Sequence, residues 1–119
     1  MWYEMKRRTV DEGVELVADV TVPEESPWFD GHFPDRAVVP GIAQLEMVFD
    51  LIQRHAGRPL RLVEVNRVRF KRMIGPDDHL SVVAIPRQAD GTVYTFRLEK
   101  AAGLVATGTM TVADLPEQQ

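Results

Sequence analysis

The sequence predicts an α+β fold: a curled antiparallel sheet of about five or six strands wrapped around one long central helix. Three observations lead there. One stretch, about Gly41 to His55, is strongly helical and apolar over most of its surface. A helix of that kind has to be covered by other structure. The rest of the chain falls into short β-branched runs divided by Gly, Pro and Asp-Gly signals. A length of 119 residues, 45% hydrophobic and 27% charged, suits one globular domain with a modest core.

Taken in order, Met1 to Val10 holds Trp2, Met5 and the basic run Lys6-Arg7-Arg8, which suits an edge strand whose charges discourage aggregation. Asp11-Glu12-Gly13 is a turn. Val14 to Val22 is a β-branched strand, ended by Pro23. Trp28 and Phe29 read as core anchors beneath the segment that follows. From Asp30 the run D-G-H-F-P-D-R-A-V-V-P-G is broken by Gly31, Pro34 and Pro40, so it is a constrained loop. Pro40 is expected at the first helical position, where a missing N–H costs nothing.

The helix then carries Ile42, Ala43, Leu45, Met47, Val48, Phe49, Leu51 and Ile52. Burying its six larger aliphatic and aromatic side chains contributes on the order of 9–18 kcal/mol before entropy is subtracted. Gly57 is the expected C-terminal cap, and Arg54-His55 suit the negative end of the dipole. After Arg58-Pro59, a strand is expected over Leu62–Arg72. Strict alternation puts Val63, Val65, Arg67, Arg69 and Lys71 on one face, and Leu62, Glu64, Asn66, Val68 and Phe70 on the other. Further strands are expected over His79–Pro86, Thr92–Lys100 and Leu104–Val112, with a hairpin at Ala89-Asp90-Gly91 and a turn at 101–103. Residues 113–119 read as a frayed tail of the single domain 1–119.

Several function classes are excluded as expectations. No apolar run reaches about 18 residues, so no membrane span is expected. The N-terminus lacks an apolar h-region, so no signal peptide is expected, and the location is cytoplasmic. The chain has no cysteine, which removes disulfides and thiolate chemistry. A net charge of −4 argues against nucleic acid as the partner.

One polar strip interrupts the apolar helix: Glu46, Asp50, Gln53 and Arg54 lie within about 100° of one another. Read alone, it is a solvent face with Asp50 and Arg54 as an i,i+4 pair. Its upper end, at Glu46, could instead reach a buried polar site. His32 lies in the loop just before the helix, so a base and an acid sit on neighbouring elements. His55 reads as a helix-end charge and His79 as structural. Asp30, His32 and Glu46 do not complete a closed ligand set, so no metal is expected.

The pattern G-H-F-P at 31–34, Pro40-Gly41 and a glutamate at 46 resembles the FabZ-type β-hydroxyacyl-carrier-protein dehydratases. The stretch V-R-F-K-R-M-I-G-P-D-D-H-L at 68–80 is similar to that family's later segment. The likeness spans roughly residues 13 to 112. Asp35, Ala37 and Asp50 stand where glycine, proline and glutamine are common. The run P-G-I-A-Q-L and the short length look closer to the small accessory dehydratases of aryl polyene pathways, the ApeI type. FabA-type dehydratase-isomerases place aspartate at the acid position, so Glu46 implies dehydration without isomerisation.

The resemblance implies a hotdog fold that dimerises, with the site between protomers. The assembly could be a homodimer, a higher homo-oligomer or a heterodimer. It implies His32 as the base that removes the C2 proton, Glu46 as the acid for the leaving hydroxyl, and the Gly41 N–H as the donor to the thioester carbonyl. The last role has an independent reason. Gly41 lies in the first helical turn, where N–H groups are unpaired and the dipole places about half a positive charge. Phe33, Pro40, Ile42, Val68 and Phe70 would line the acyl tunnel. The substrate would arrive on the phosphopantetheine of an acyl carrier protein, with no other cofactor. Arg67, Arg69, Lys71 and Arg72 form a basic patch that suits an acidic carrier, or is simply the solvent face of a strand. A hotdog thioesterase and a non-catalytic subunit of a heteromeric dehydratase are the alternatives.

Overall fold

The computed structural model describes residues 2–8, 15–29 and 39–116, and of Trp28 the backbone only. Its elements are β1 (Glu4–Arg8), β2 (Leu16–Thr21), a 3-10 turn (Pro27–Phe29), α1 (Gly41–Ala56), β3 (Leu60–Phe70), β4 (His79–Pro86), β5 (Val93–Lys100) and β6 (Gly103–Asp114). The six strands form one antiparallel sheet in the order β1-β2-β4-β5-β6-β3. The sheet curls around α1, which packs against β2, β4 and β3. Met47, Val48, Leu51 and Ile52 of the helix meet Val20, Val82, Phe96, Leu98 and Met110 of the sheet in one core. Phe29 packs against this core, as expected of an anchor; the side chain of Trp28 lies outside the described residues.

Helix α1 begins and ends for local reasons. Pro40 takes the cap position, one residue earlier than expected, with an extended ψ of 156°. Its carbonyl accepts the first helical hydrogen bonds, from Ala43 (3.1 Å) and Gln44 (3.2 Å). At the other end Gly57 turns left-handed (φ 69°), and its N–H donates to Gln53 O at 3.0 Å. A side chain with a Cβ would be strained there.

Strand β3 departs from the expected alternation. It begins at Leu60, two residues early, and its pairing with β6 slips between Leu62 and Glu64 and again between Asn66 and Arg69. Each slip is a bulge, one extra residue on β3, and each bulge inverts which residues face inward. The second contains Arg67 in the left-handed region (φ 55°). As a result Leu60, Val65 and Val68 all pack toward the core, although strict alternation sets Val65 apart from Val68. The turn into β4 crosses Asp77 at φ 61°, and Asp78 closes it by accepting from Gly75 N–H at 2.8 Å.

At the C-terminal end, β6 runs past Val112 to Asp114 rather than fraying. Asp114 opposes Leu60 in the register, and its carboxylate accepts from Arg58 Nε at 2.7 Å. Among the described residues no helix is long and apolar enough to cross a membrane.

Candidate active site

Gly41 opens α1, so its N–H points out of the helix with no acceptor inside it. The ring of Phe70 lies against Gly41: a Cβ added at Gly41 would stand 2.6 Å from Phe70 Cζ. The inversions at the two bulges cancel before the end of β3, so Phe70 shares the face of Leu60 and Val68. Two of the expected tunnel residues and the expected carbonyl donor are thus neighbours: Pro40, Gly41 and Phe70. Val68 is half-buried on the same strand.

Ile42 and Glu46 lie one helical turn apart on a face left open among the described residues. Ile42 is 74% exposed and Glu46 is exposed. Phe70 and Met73, at the end of β3 and in the turn after it, are also more than half uncovered or close to it. Ile42, Phe70 and Met73 are thus large apolar side chains left exposed among the described residues.

The polar strip beyond Glu46 does not face solvent alone. Asp50 accepts from the hydroxyl of Tyr3, and Arg54 closes on the same carboxylate through Nε (3.1 Å) and Nη2 (3.0 Å). The i,i+4 pair is present as expected, with Asp50 17% and Arg54 36% exposed. Tyr3 is 4% exposed. Burial pushes its hydroxyl well above the ordinary tyrosine range, the hydrogen bond to Asp50 adds to this, and Glu46 contributes a smaller push. Gln53 leaves the strip altogether: its Oε1 accepts from Leu60 N–H at 3.0 Å and ties the helix to β3.

His32 and Phe33, the expected base and one expected tunnel residue, lie outside the described residues, as does Asp30. Arg67, Arg69, Lys71 and Arg72 are all exposed, and among the described residues none takes an ion-pair partner. Lys71 and Arg72 donate their backbone N–H groups to Val105 O (2.7 and 3.3 Å), which fixes this end of the patch on β6. His55 stands exposed in the last helical turn, and His79 sits 3.4 Å from Thr21 Oγ1.

Two residues near the site were not singled out from sequence. Tyr3 carries no local signal, because its partner is 47 positions away. Gln44 did carry one. It precedes Met47 and Val48 by three and four residues, which places an amide on the buried face.

A curled six-stranded antiparallel sheet gripping one long helix is a hotdog fold. Among solved structures, the dehydratase heterocomplex ApeI:P from Xenorhabdus doucetiae superposes with a TM-score of 0.82 over 95% of this chain and 99% of that one, at 20% identity. The Escherichia coli PaaI protein of the phenylacetic acid degradation operon superposes at 0.70, over 96% and 81%, with 16% identity. These likenesses concern the fold. In sequence, residues 7–109 match the ApeI-like family, described as ApeI dehydratase. The 3-hydroxyacyl-[acyl-carrier-protein] dehydratase FabZ of Paramagnetospirillum magneticum is 33% identical, covering 92% of this chain and 78% of the relative. The FabZ of Agrobacterium fabrum is 31% identical, covering 87% and 71%. The chain belongs to this family of FabZ- and ApeI-like dehydratases.

Proposed function

We propose that this chain removes water from a 3-hydroxyacyl thioester on an acyl carrier protein and leaves the trans-2-enoyl thioester. The observation that carries the reading is Glu46, exposed on a helix whose first N–H, at Gly41, has no acceptor among the described residues. Family membership supplies the reaction class.

The chemistry balances without a further cofactor. His32 takes the C2 proton. The electron pair moves toward the thioester carbonyl, which the Gly41 N–H and the helix dipole hold, a contribution of about 3–4 kcal/mol for one such donor. The C2=C3 bond forms as the C3–O bond breaks, and Glu46 gives the departing hydroxyl its proton. Water leaves, and the proton on His32 returns to Glu46 through solvent. Phe33, Pro40, Ile42, Val68 and Phe70 flank the acyl chain, which enters on phosphopantetheine.

A second copy of the chain covers the open face. The exposed Ile42, Phe70 and Met73 support this, as does the β3 edge, which lacks a neighbour among the described residues. A paralogous partner would fit the same surface. The patch of Arg67, Arg69, Lys71 and Arg72 receives the acidic carrier, and we take the shared compartment to be the cytoplasm. The pathway is fatty-acid or aryl-polyene-type synthesis.

The test is incubation of the purified protein with a 3-hydroxyacyl carrier protein, read by mass spectrometry. Loss of one water from the intact acyl carrier is expected. Release of free hydroxy acid would make the protein a thioesterase instead, and no change in mass would remove both readings.

A further inference from the structure

Gln44 is a buried amide in an apolar stripe. It is 4% exposed and shares its helix face with Met47, Val48 and Leu51. Its Nε2 donates to Val39 O at 3.2 Å. Its Oε1 is buried with no hydrogen-bond partner among the described residues. An orphaned buried acceptor destabilises a fold, and an apolar side chain of the same length would avoid that cost. The amide's stabilising bond to Val39 O is set against its unpaired Oε1, so stability alone gives it little net gain and little reason to stand here.

The geometry around Gln44 gives one. Its backbone N–H donates to Pro40 O at 3.2 Å while its side chain holds Val39 O. One residue thus grips two successive carbonyls of the segment that enters the helix. On the far side, Val39 N–H donates to Ile74 O at 2.9 Å, which anchors the same segment to the turn after β3. Pro40 has a ring-fixed φ of −63°. The peptide joining Pro40 to Gly41 is planar and trans, so the Gly41 N–H points opposite to the Pro40 carbonyl. Whatever fixes that carbonyl and the residue before it also aims the N–H.

We propose that Gln44 is a positioning residue for the Gly41 N–H. This rests on the dehydratase reading in one respect only, namely that Gly41 donates to the thioester carbonyl. A donor aimed at charge that develops during the reaction acts on kcat rather than on ground-state binding. A misaimed donor loses much of its effect, because hydrogen bonds weaken steeply off axis.

The test is Gln44→Met, which keeps length and bulk and removes both the donor and the orphaned acceptor. The variant loses the unpaired Oε1 but also leaves Val39 O without its side-chain donor, so its melting temperature should stay within a few degrees of the parent's. Its kcat should fall about tenfold with KM within twofold, and the Gly41 amide should exchange hydrogen faster and shift in the ¹H–¹⁵N spectrum. A merely structural role would lower the melting temperature and leave kcat of the folded protein alone. Gln44→Leu serves if the methionine variant does not fold. A folded variant with unchanged kcat, or with only KM altered, would overturn the proposal. If the parent itself dehydrates nothing, the dehydratase reading fails separately. The Gly41 amide then decides: a changed resonance supports the clamp, and an unchanged one ends it.

Discussion

Replacing Tyr3 by phenylalanine removes one oxygen and tests how the N-terminal strand is held to the helix. The hydroxyl donates to Asp50, which also receives two contacts from Arg54. A hydrogen bond to a charged group contributes roughly 1.5–3 kcal/mol. Asp50 keeps Arg54 and retains some access to water, so the loss belongs near the lower end, about 1–2 kcal/mol. At about 2.1 cal/mol/K per residue, the 119 residues give an unfolding entropy of ~250 cal/mol/K. The expected fall in Tm is then about 4–8 °C, read by circular dichroism at neutral pH. An independent readout lies at high pH. Burial raises both Tyr3 and Tyr94 above the ordinary tyrosine range, and these are the chain's two tyrosines. Above the unfolded value near pH 10 the unfolded chain releases protons that the folded chain keeps. Stability is therefore full below about pH 10 and falls as pH rises, by up to ~1.4 kcal/mol per unit for each tyrosine. Tyr3→Phe should make that slope shallower. A Tm within about 1 °C of the parent, or an unchanged alkaline slope, would refute the account of this contact.

Three further outcomes follow from the site. Glu46→Gln and His32→Ala should each lower dehydration at least ~100-fold; Glu46 is exposed, so its variant should melt like the parent, and near-normal turnover in either folded variant would count against the proposed roles. Gly41→Ala places a Cβ 2.6 Å from Phe70 Cζ, and the half-exposed ring can swing away, so stability should change by only about 1 kcal/mol while turnover drops. Adding Phe70→Ala should recover the lost stability, and failure to do so would mean that the clash is not the cause. Reversing charge at Arg69 or Lys71 should raise KM for a carrier-bound substrate, leave a short free thioester unaffected, and lose its effect in high salt; equal effects on both substrates would remove the patch as a docking surface.

What could be read from the sequence was mostly local. The helix from Gly41, its glycine stop and the Asp50–Arg54 pair each depend on neighbours within four residues, and all three stand where expected. Strand β4 likewise begins and ends at its predicted residues. The inward face of β3 was missed because it depends on two bulges against β6. No glycine or asparagine marks the left-handed position; Arg67 occupies it. The extension of β6 to Asp114 was missed for a similar reason, since pairing with Leu60 holds that end. At the site, Gly41 and Glu46 were legible as one rigid element, whereas the Tyr3 contact joins a residue just before β1 to one in the middle of α1. His32 lies outside the described residues, so its place rests on the family motif.

The two outer strands of the sheet also bear on how copies of the chain can add together. One route to filament growth joins β1 of one copy to β3 of the next, an open repeat with no natural end. Both strands carry exposed basic side chains, Lys6, Arg7 and Arg8 on one and Arg61, Arg67 and Arg69 on the other, so that junction is repelled. Two β3 strands meeting head to tail set the arginine-rich half of each against the half holding Leu62, Val63 and Glu64. That arrangement closes on itself after two copies. The like charges on the two edges thus weigh against the open β1–β3 repeat.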